Sequence, residues 1–302
     1  MTKNLHLEHP EDSILNGDLS VLDWFTAGGN LSVKIDGAPA IVWGTDPSTG
    51  DFFVGTKSVF NKKKIKICYT DADVFALYGE QPALVEILCA CLKYLPRGEF
   101  IYQGDFIGFG GSDEYTPNTI TYKFPEVVRH TIIIAPHTEY VCNGELKDAQ
   151  VSGPIDYQIN GNDQVLFIQP KAYILHDQES FSDAAEVVAF ARQIATSVEF
   201  VSDKKAAEIK KQINACVRNC EVIHSDDFDC DPNLIRLWAV VKSIKDDCLF
   251  LCRNNGPAAF MNGNRIDAEG YVLTNQFGMF KLVNREVFSY ANFNQGRFQC
   301  AA

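Results

Sequence analysis

The residues of this chain with the clearest chemistry are Lys34-Ile35-Asp36-Gly37. A lysine amine at the end of a strand can attack the α-phosphate of a nucleotide, forming a phosphoramidate and releasing pyrophosphate. To attack, it must shed its proton, which favours neighbouring cations and a partly desolvated pocket. Gly37 lets the backbone turn tightly and come close to a nucleotide, while Asp36 contacts the ribose or helps orient the lysine. The same four residues also suit a salt-bridged strand end, so the motif gains weight only from what accompanies it.

The elements that must position this lysine can be read from periodicity and turn chemistry. Two β-rich runs flank Asp46-Pro47-Ser48-Thr49-Gly50 and predict a hairpin. Apolar residues at helical spacing (Val74, Leu77, Leu84, Ile87, Leu88, Leu92) predict a helix within 71–95, with Asp71 or Asp73 as its cap. Strands are expected at about 99–109, 130–141 and 164–175. From Ser182 to about Cys252 the pattern turns helical, and the last fifty residues return to strands with Asn/Gly turns. One α+β domain over 1–302 with a helical insertion at about 180–255 fits this order.

Composition narrows the class. A net charge of −12 argues against a protein that coats nucleic acid non-specifically. Within it, Lys57, Lys62, Lys63, Lys64 and Lys66 reverse the sign locally, as a phosphate-facing edge or a solvated turn would. No apolar run reaches the length of a membrane span, and the polar, acidic N-terminus has no signal-peptide core. A cytoplasmic location with no membrane partner, and with the cysteines reduced, is the expectation.

The chain resembles the covalent nucleotidyltransferase superfamily of ATP-dependent DNA/RNA ligases and mRNA-capping enzymes, and is most similar to a tailed-phage ligase-like family. Beside the Lys34 motif, the resemblance rests on Lys57 in Gly55-Thr56-Lys57-Ser58, on Gly104-Asp105 where the family has Gly-Glu, on Glu269-Gly270-Tyr271-Val272, and on Lys281 in Met279-Phe280-Lys281-Leu282. These stand in the family's order. The resemblance implies a core of two antiparallel sheets with the nucleotide between them, and Lys34 as the residue that takes AMP. It gives Asp36, Gly37, Lys57, Asp105, Glu269 and Lys281 to nucleotide binding, with Glu269 and Asp105 also holding Mg2+ or Mn2+. ATP, or else GTP, is the implied nucleotide. Nucleic-acid ends or nicks are the implied partner, in the host cytoplasm if the chain is viral, and the helical insertion could take a protein partner.

The sequence departs from the family at three places. The strand Thr131–Thr138 has no aromatic to stack on a base, leaving Tyr122, Phe124 or Tyr140 as stand-ins. Lys281 lacks a second lysine two residues on, and Arg285 is the nearest other cation. Only 21 residues follow Lys281, too few for the C-terminal OB-fold of ligases. Two further clusters have plain explanations. Cys216, Cys220 and His224, with Cys230 beyond, could begin a zinc site, but a stripe of small buried cysteines explains the first two equally well. His6, Glu8, His9, Glu11 and Asp12 suit the acidic first turn of a helix.

Overall fold

The computed structural model describes residues 7–175 and 178–288. In chain order the elements are α1 (Pro10–Ser13), α2 (Ser20–Thr26), β1 (Asn30–Lys34), β2 (Ala40–Thr45), β3 (Phe52–Gly55), α3 (Asp71–Tyr78), α4 (Pro82–Tyr94), β4 (Ile101–Phe109), β5 (Glu114–Tyr115), β6 (Thr121–Lys123), β7 (Ile132–Val141), β8 (Gln150–Pro154), β9 (Val165–Phe167) and β10 (Ala172–Ile174). There follow α5 (Gln178–Ala195), α6 (Asp203–Asn219), α7 (Pro232–Leu251), β11 (Cys252–Asn254), β12 (Ala258–Met261), β13 (Asn264–Ile266), β14 (Gly270–Asn275) and β15 (Gly278–Val283). The fold is α+β with several antiparallel sheets.

The chain forms two compact units, each assembled from segments far apart in sequence. The first comprises residues 35–170 and 256–266; the second comprises the described residues of 6–34, 171–255 and 267–302. The chain passes from one to the other between Lys34 and Ile35, inside the sequence motif itself.

The first unit is built on the sheet β3-β2-β4-β7-β8, to which β9 adds a parallel pairing with β7. Asp46–Gly50 makes the β2–β3 turn, with Asp46 accepting from Ser48 and Gly50 in left-handed backbone (φ 77°), as its turn chemistry predicts. Strand β2 is covered on both faces. Ile41 and Trp43 join the core under α3 and α4, while Val42 packs with Phe53, Val59, Ile101 and Tyr140 on the other side. That is the period-two alternation of a strand. The helix read within 71–95 is two helices. Thr70, not Asp71 or Asp73, caps the first in a capping box with Asp73, and Pro82 starts the second. Proline is favoured at a first helical turn, where its missing N–H costs nothing. A smaller sheet, β13-β12-β6-β5, completes the unit.

In the second unit the three-stranded sheet β1-β14-β15 lies against the helices. Leu31, Val33, Tyr271, Leu273, Phe280 and Leu282 pack into one core with Trp24, Ile209, Ile213, Leu234 and Trp238. The helical segment therefore shares its core with the strand that bears Lys34. Cys220 ends α6 in left-handed backbone (φ 57°) and is exposed, so the cysteine stripe read along this helix is broken there. His6 lies outside the described residues.

Candidate active site

Alternation along the three strands of the second unit decides which side chains share a face. The core takes Leu31 and Val33 of β1, Tyr271 and Leu273 of β14, and Phe280 and Leu282 of β15. The opposite face is left with Ser32 and Lys34, Gly270 and Val272, and Lys281 and Val283. Register aligns them in two rows, Lys34–Gly270–Val283 and Ser32–Val272–Lys281. Lys34 and Lys281 thus rise from one face, diagonally across β14.

Gly270 is what the geometry requires between them. A Cβ at this position would stand 2.3 Å from the Leu282 carbonyl oxygen and 2.6 Å from Val283 Cγ2, so no side chain fits without displacing β15. One residue earlier, Glu269 reaches Lys34, its Oε2 accepting from Nζ at 2.5 Å. The pair is partly shielded, with 30% of the lysine side chain and 12% of the glutamate exposed. Three of the residues that the sequence picked out independently, Lys34, Glu269 and Lys281, are therefore neighbours on one small sheet. The Lys281 pKa is lowered, first by burial and then by the charges of Lys34 and Arg285, against the pull of Glu8 and Asp12.

Beside this face lie Glu11 and Asp12, which stand in the first turn of a helix as expected, with buried partners that sequence reasoning missed. Lys281 N donates to the Glu8 carbonyl at 3.1 Å. Glu11 and Asp12, in the short helix α1, are buried rather than solvated. Glu11 accepts from Lys245 Nζ at 2.8 Å and Asp12 from Arg285 Nη2 at 2.5 Å, while Trp238 Nε1 donates to Asp12 at 3.3 Å. Burial pulls the Arg285 pKa down; Asp12 and Glu11 outweigh it and hold the guanidinium above its ordinary pKa. His9 is kept neutral by burial and by the charges of Arg285, Lys281, Lys245 and Lys210. Arg285, noted from sequence as the nearest other cation to Lys281, is thus a buried partner of Asp12.

The first unit holds the other sequence-predicted residues. Asp36 accepts from Asn118 Nδ2 at 3.0 Å and from Thr119 N at 3.1 Å, and its own N–H donates to the Tyr122 hydroxyl at 2.6 Å. Its carboxylate fixes the loop before β6. Gly37 lies so close to β4 that a Cβ would stand 2.9 Å from Asp105 Cβ and 3.0 Å from the Phe106 carbonyl. Asp105 pairs with Ala40 on one side and Ala135 on the other, and its Oδ1 lies 3.8 Å from His137 Nε2. His137 was not singled out from sequence, although it stands in the strand where the resemblance calls for an aromatic ring. Lys57 is exposed and opens a 3-10 turn, Lys57–Phe60, capped by Thr56 just beyond β3.

Two of the three stand-in aromatics are committed to the interior. Tyr122 is buried, and Tyr140 is buried with its hydroxyl donating to Gln103 Oε1 at 2.7 Å. Phe124 is half-buried and meets Tyr115 edge-on. Among the described residues, no group of three or more His, Cys, Asp or Glu could hold a metal ion by itself.

A family model matches residues 4–232 and 229–297. The chain belongs to DUF6267, a family of unknown function. No curated protein and no solved structure matches this DUF6267 member. Its chemistry has to be argued from its own residues.

Proposed function

We propose that this chain is an ATP-dependent polynucleotide ligase-like nucleotidyltransferase, with Lys34 as its nucleophile and a ligase-type core as its fold. The observation that carries the reading is that Lys34 and Lys281 rise from one sheet face and that Glu269, just before the central strand of that sheet, reaches Lys34; the sequence motifs had linked the three only by order. A lysine meant only to neutralise a carboxylate has no need of a second, partly buried lysine diagonally across a glycine. A phosphate would repay that arrangement, because fixed cations stabilise the charge that gathers on a transferring phosphoryl group.

In this reading Lys34 Nζ attacks the α-phosphorus of ATP. A P–N bond forms, the bond to the bridging oxygen of the β-phosphate breaks, and pyrophosphate leaves. Glu269 is the nearest acceptor for the proton that the amine must shed, and Lys281 is the fixed charge for the α-phosphate. Mg2+ arrives with the triphosphate as part of the substrate, as is usual for a cation that gives up its water reluctantly. A 5′-phosphate oxygen of the nucleic acid then attacks the lysyl-AMP phosphorus and releases Lys34, and a 3′-hydroxyl displaces AMP. The resemblance also gives Asp36, Gly37, Lys57 and Asp105 to the nucleotide. Asp36 serves that role through the loop it fixes.

The test is incubation with α-labelled ATP or GTP and Mg2+, followed by denaturing electrophoresis and intact mass, for wild type and Lys34→Ala. One nucleoside monophosphate bound covalently to the wild type alone is the expected result. Labelling by GTP would change the reading to a guanylyltransferase. An adduct without sealing of nicked DNA or RNA would direct the AMP to another acceptor. No adduct across pH and metal conditions would overturn the enzyme and leave a nucleotide-binding interaction module.

A further inference from the structure

From Phe52 to Thr70 the chain contains no acidic residue, although it carries 39 of them in all. Five lysines fall in this stretch, and the structure divides them. Lys66 is structural: Nζ donates to the Leu77 carbonyl at 2.9 Å and sits 4.5 Å from the centre of the Tyr78 ring. Lys62, Lys63 and Lys64 are exposed at the tip of a loop, and among the described residues no carboxylate pairs with them. The loop stem is held firmly. Val54 and Cys68 exchange backbone hydrogen bonds at 2.9 and 3.0 Å, and Lys66 N donates to the Ser58 carbonyl at 3.4 Å. Beneath it, Val59 and Cys68 are fully buried. Lys64 turns the tip in left-handed backbone (φ 55°).

We propose that the tip Lys62-Lys63-Lys64 is a docking surface for the sugar-phosphate backbone of a polynucleotide. Three adjacent ammonium groups left without counter-charges on a rigid stem are held against their own repulsion. A polyanion relieves that repulsion and releases its condensed counterions in the process. Ammonium groups suit this task because they act as point charges and impose no base preference. The shape of the partner follows from the rest of the molecule. A chain of net charge −12 is repelled by an extended anionic plane, such as a lipid surface, over about one Debye length, roughly 8 Å. A single strand carries its charge along one line and can meet the three exposed lysines without an extended anionic plane. This surface gives the first unit a polynucleotide contact of its own, and it rests on the ligase reading only for the choice of oligonucleotide.

The experiment measures binding of a fluorescein-labelled nicked duplex and a labelled single-stranded RNA by anisotropy, from 50 to 200 mM KCl. It compares wild type with K62Q/K63Q/K64Q, with thermal melts to check that both fold. The expected result is a plot of log affinity against log salt whose slope falls by about 2 to 3 in the variant, near one for each lysine removed. Lys34 adduct formation should proceed at the wild-type rate. An unchanged slope overturns the surface, as does wild-type binding to phosphatidylserine vesicles but to neither oligonucleotide. Salt-dependent oligonucleotide binding by a wild type that forms no adduct leaves the surface standing and removes the ligase reading.

Discussion

Two lysine–glutamate pairs in the second unit have nearly the same geometry and opposite access. Lys34 and Glu269 meet at 2.5 Å with both side chains partly open to water, whereas Lys245 and Glu11 meet at 2.8 Å with neither exposed at all. Water and incoming ligands can compete for the first pair. The second cannot be broken without stranding a charge in the interior, where it is costly. The difference separates a lysine available for chemistry from one that fastens α1 to α7. The pair's distance alone would not tell them apart.

The largest effect that would test the contrast is on activity. Lys34→Ala should abolish the covalent nucleotide adduct while costing at most about 1 kcal/mol of stability, as accessible ion pairs contribute little; an adduct retained in the variant ends the comparison. On stability the order reverses. Lys245→Met should destabilise by about 3–5 kcal/mol in urea unfolding, because Glu11 is left buried without its amine. A loss below about 1 kcal/mol would mean that Arg285, 3.7 Å from Glu11, takes over the pairing. Gly270→Ala should cost about 1–3 kcal/mol through the clash with the Leu282 carbonyl, and adduct formation should slow as β15 shifts Lys281.

The smallest effect is a matter of pH. The lowered pKa of Lys281 means that the folded chain releases this proton before the unfolded one does. Between the lowered value and the ordinary lysine range, the unfolded state binds more protons, so this residue makes stability rise with pH. Below that window the full cost of holding the charge is present. Lys281→Met should therefore stabilise the protein at neutral pH and remove the alkaline gain, as read by thermal melts from pH 7 to 10.5. An identical pH profile in the variant would show that Lys281 is not desolvated.

Much of this was legible in the sequence where the signal is local. The Asp46–Gly50 hairpin, the strand periods and the three long helices each follow from residues within a few positions of one another. Apolar spacing on either side reads as one helix, whereas Gly79 closes the first helix and Pro82 opens the second. Glu269 and Lys281 could be named because short motifs carry their own order, and the face that Lys281 shares with Lys34 follows from period-two alternation once the register is known. Glu11 and Asp12 were legible as the acidic first turn of a helix, but their burial was not. Two acids after a proline look the same whether the helix start faces water or the core, and their partners lie at Lys245 and Arg285. The helical segment was read as an insertion because nothing near it in sequence announces that it shares a core with β1.

The pairing of β1 with β14 also sets when this molecule becomes competent during synthesis. Glu269 follows Lys34 by 235 residues, and among the described residues β1 pairs in its sheet with β14. At the ordinary pace of translation the reactive amine leaves the ribosome roughly ten to fifty seconds before its carboxylate does. Throughout that interval a nascent chain carries the lysine without the strand, the glycine and the second cation that would make it selective. On the proposed reading the nucleophile is written early and armed late, and a chain that stalls or is cut short before β14 carries Lys34 without Glu269 and Lys281.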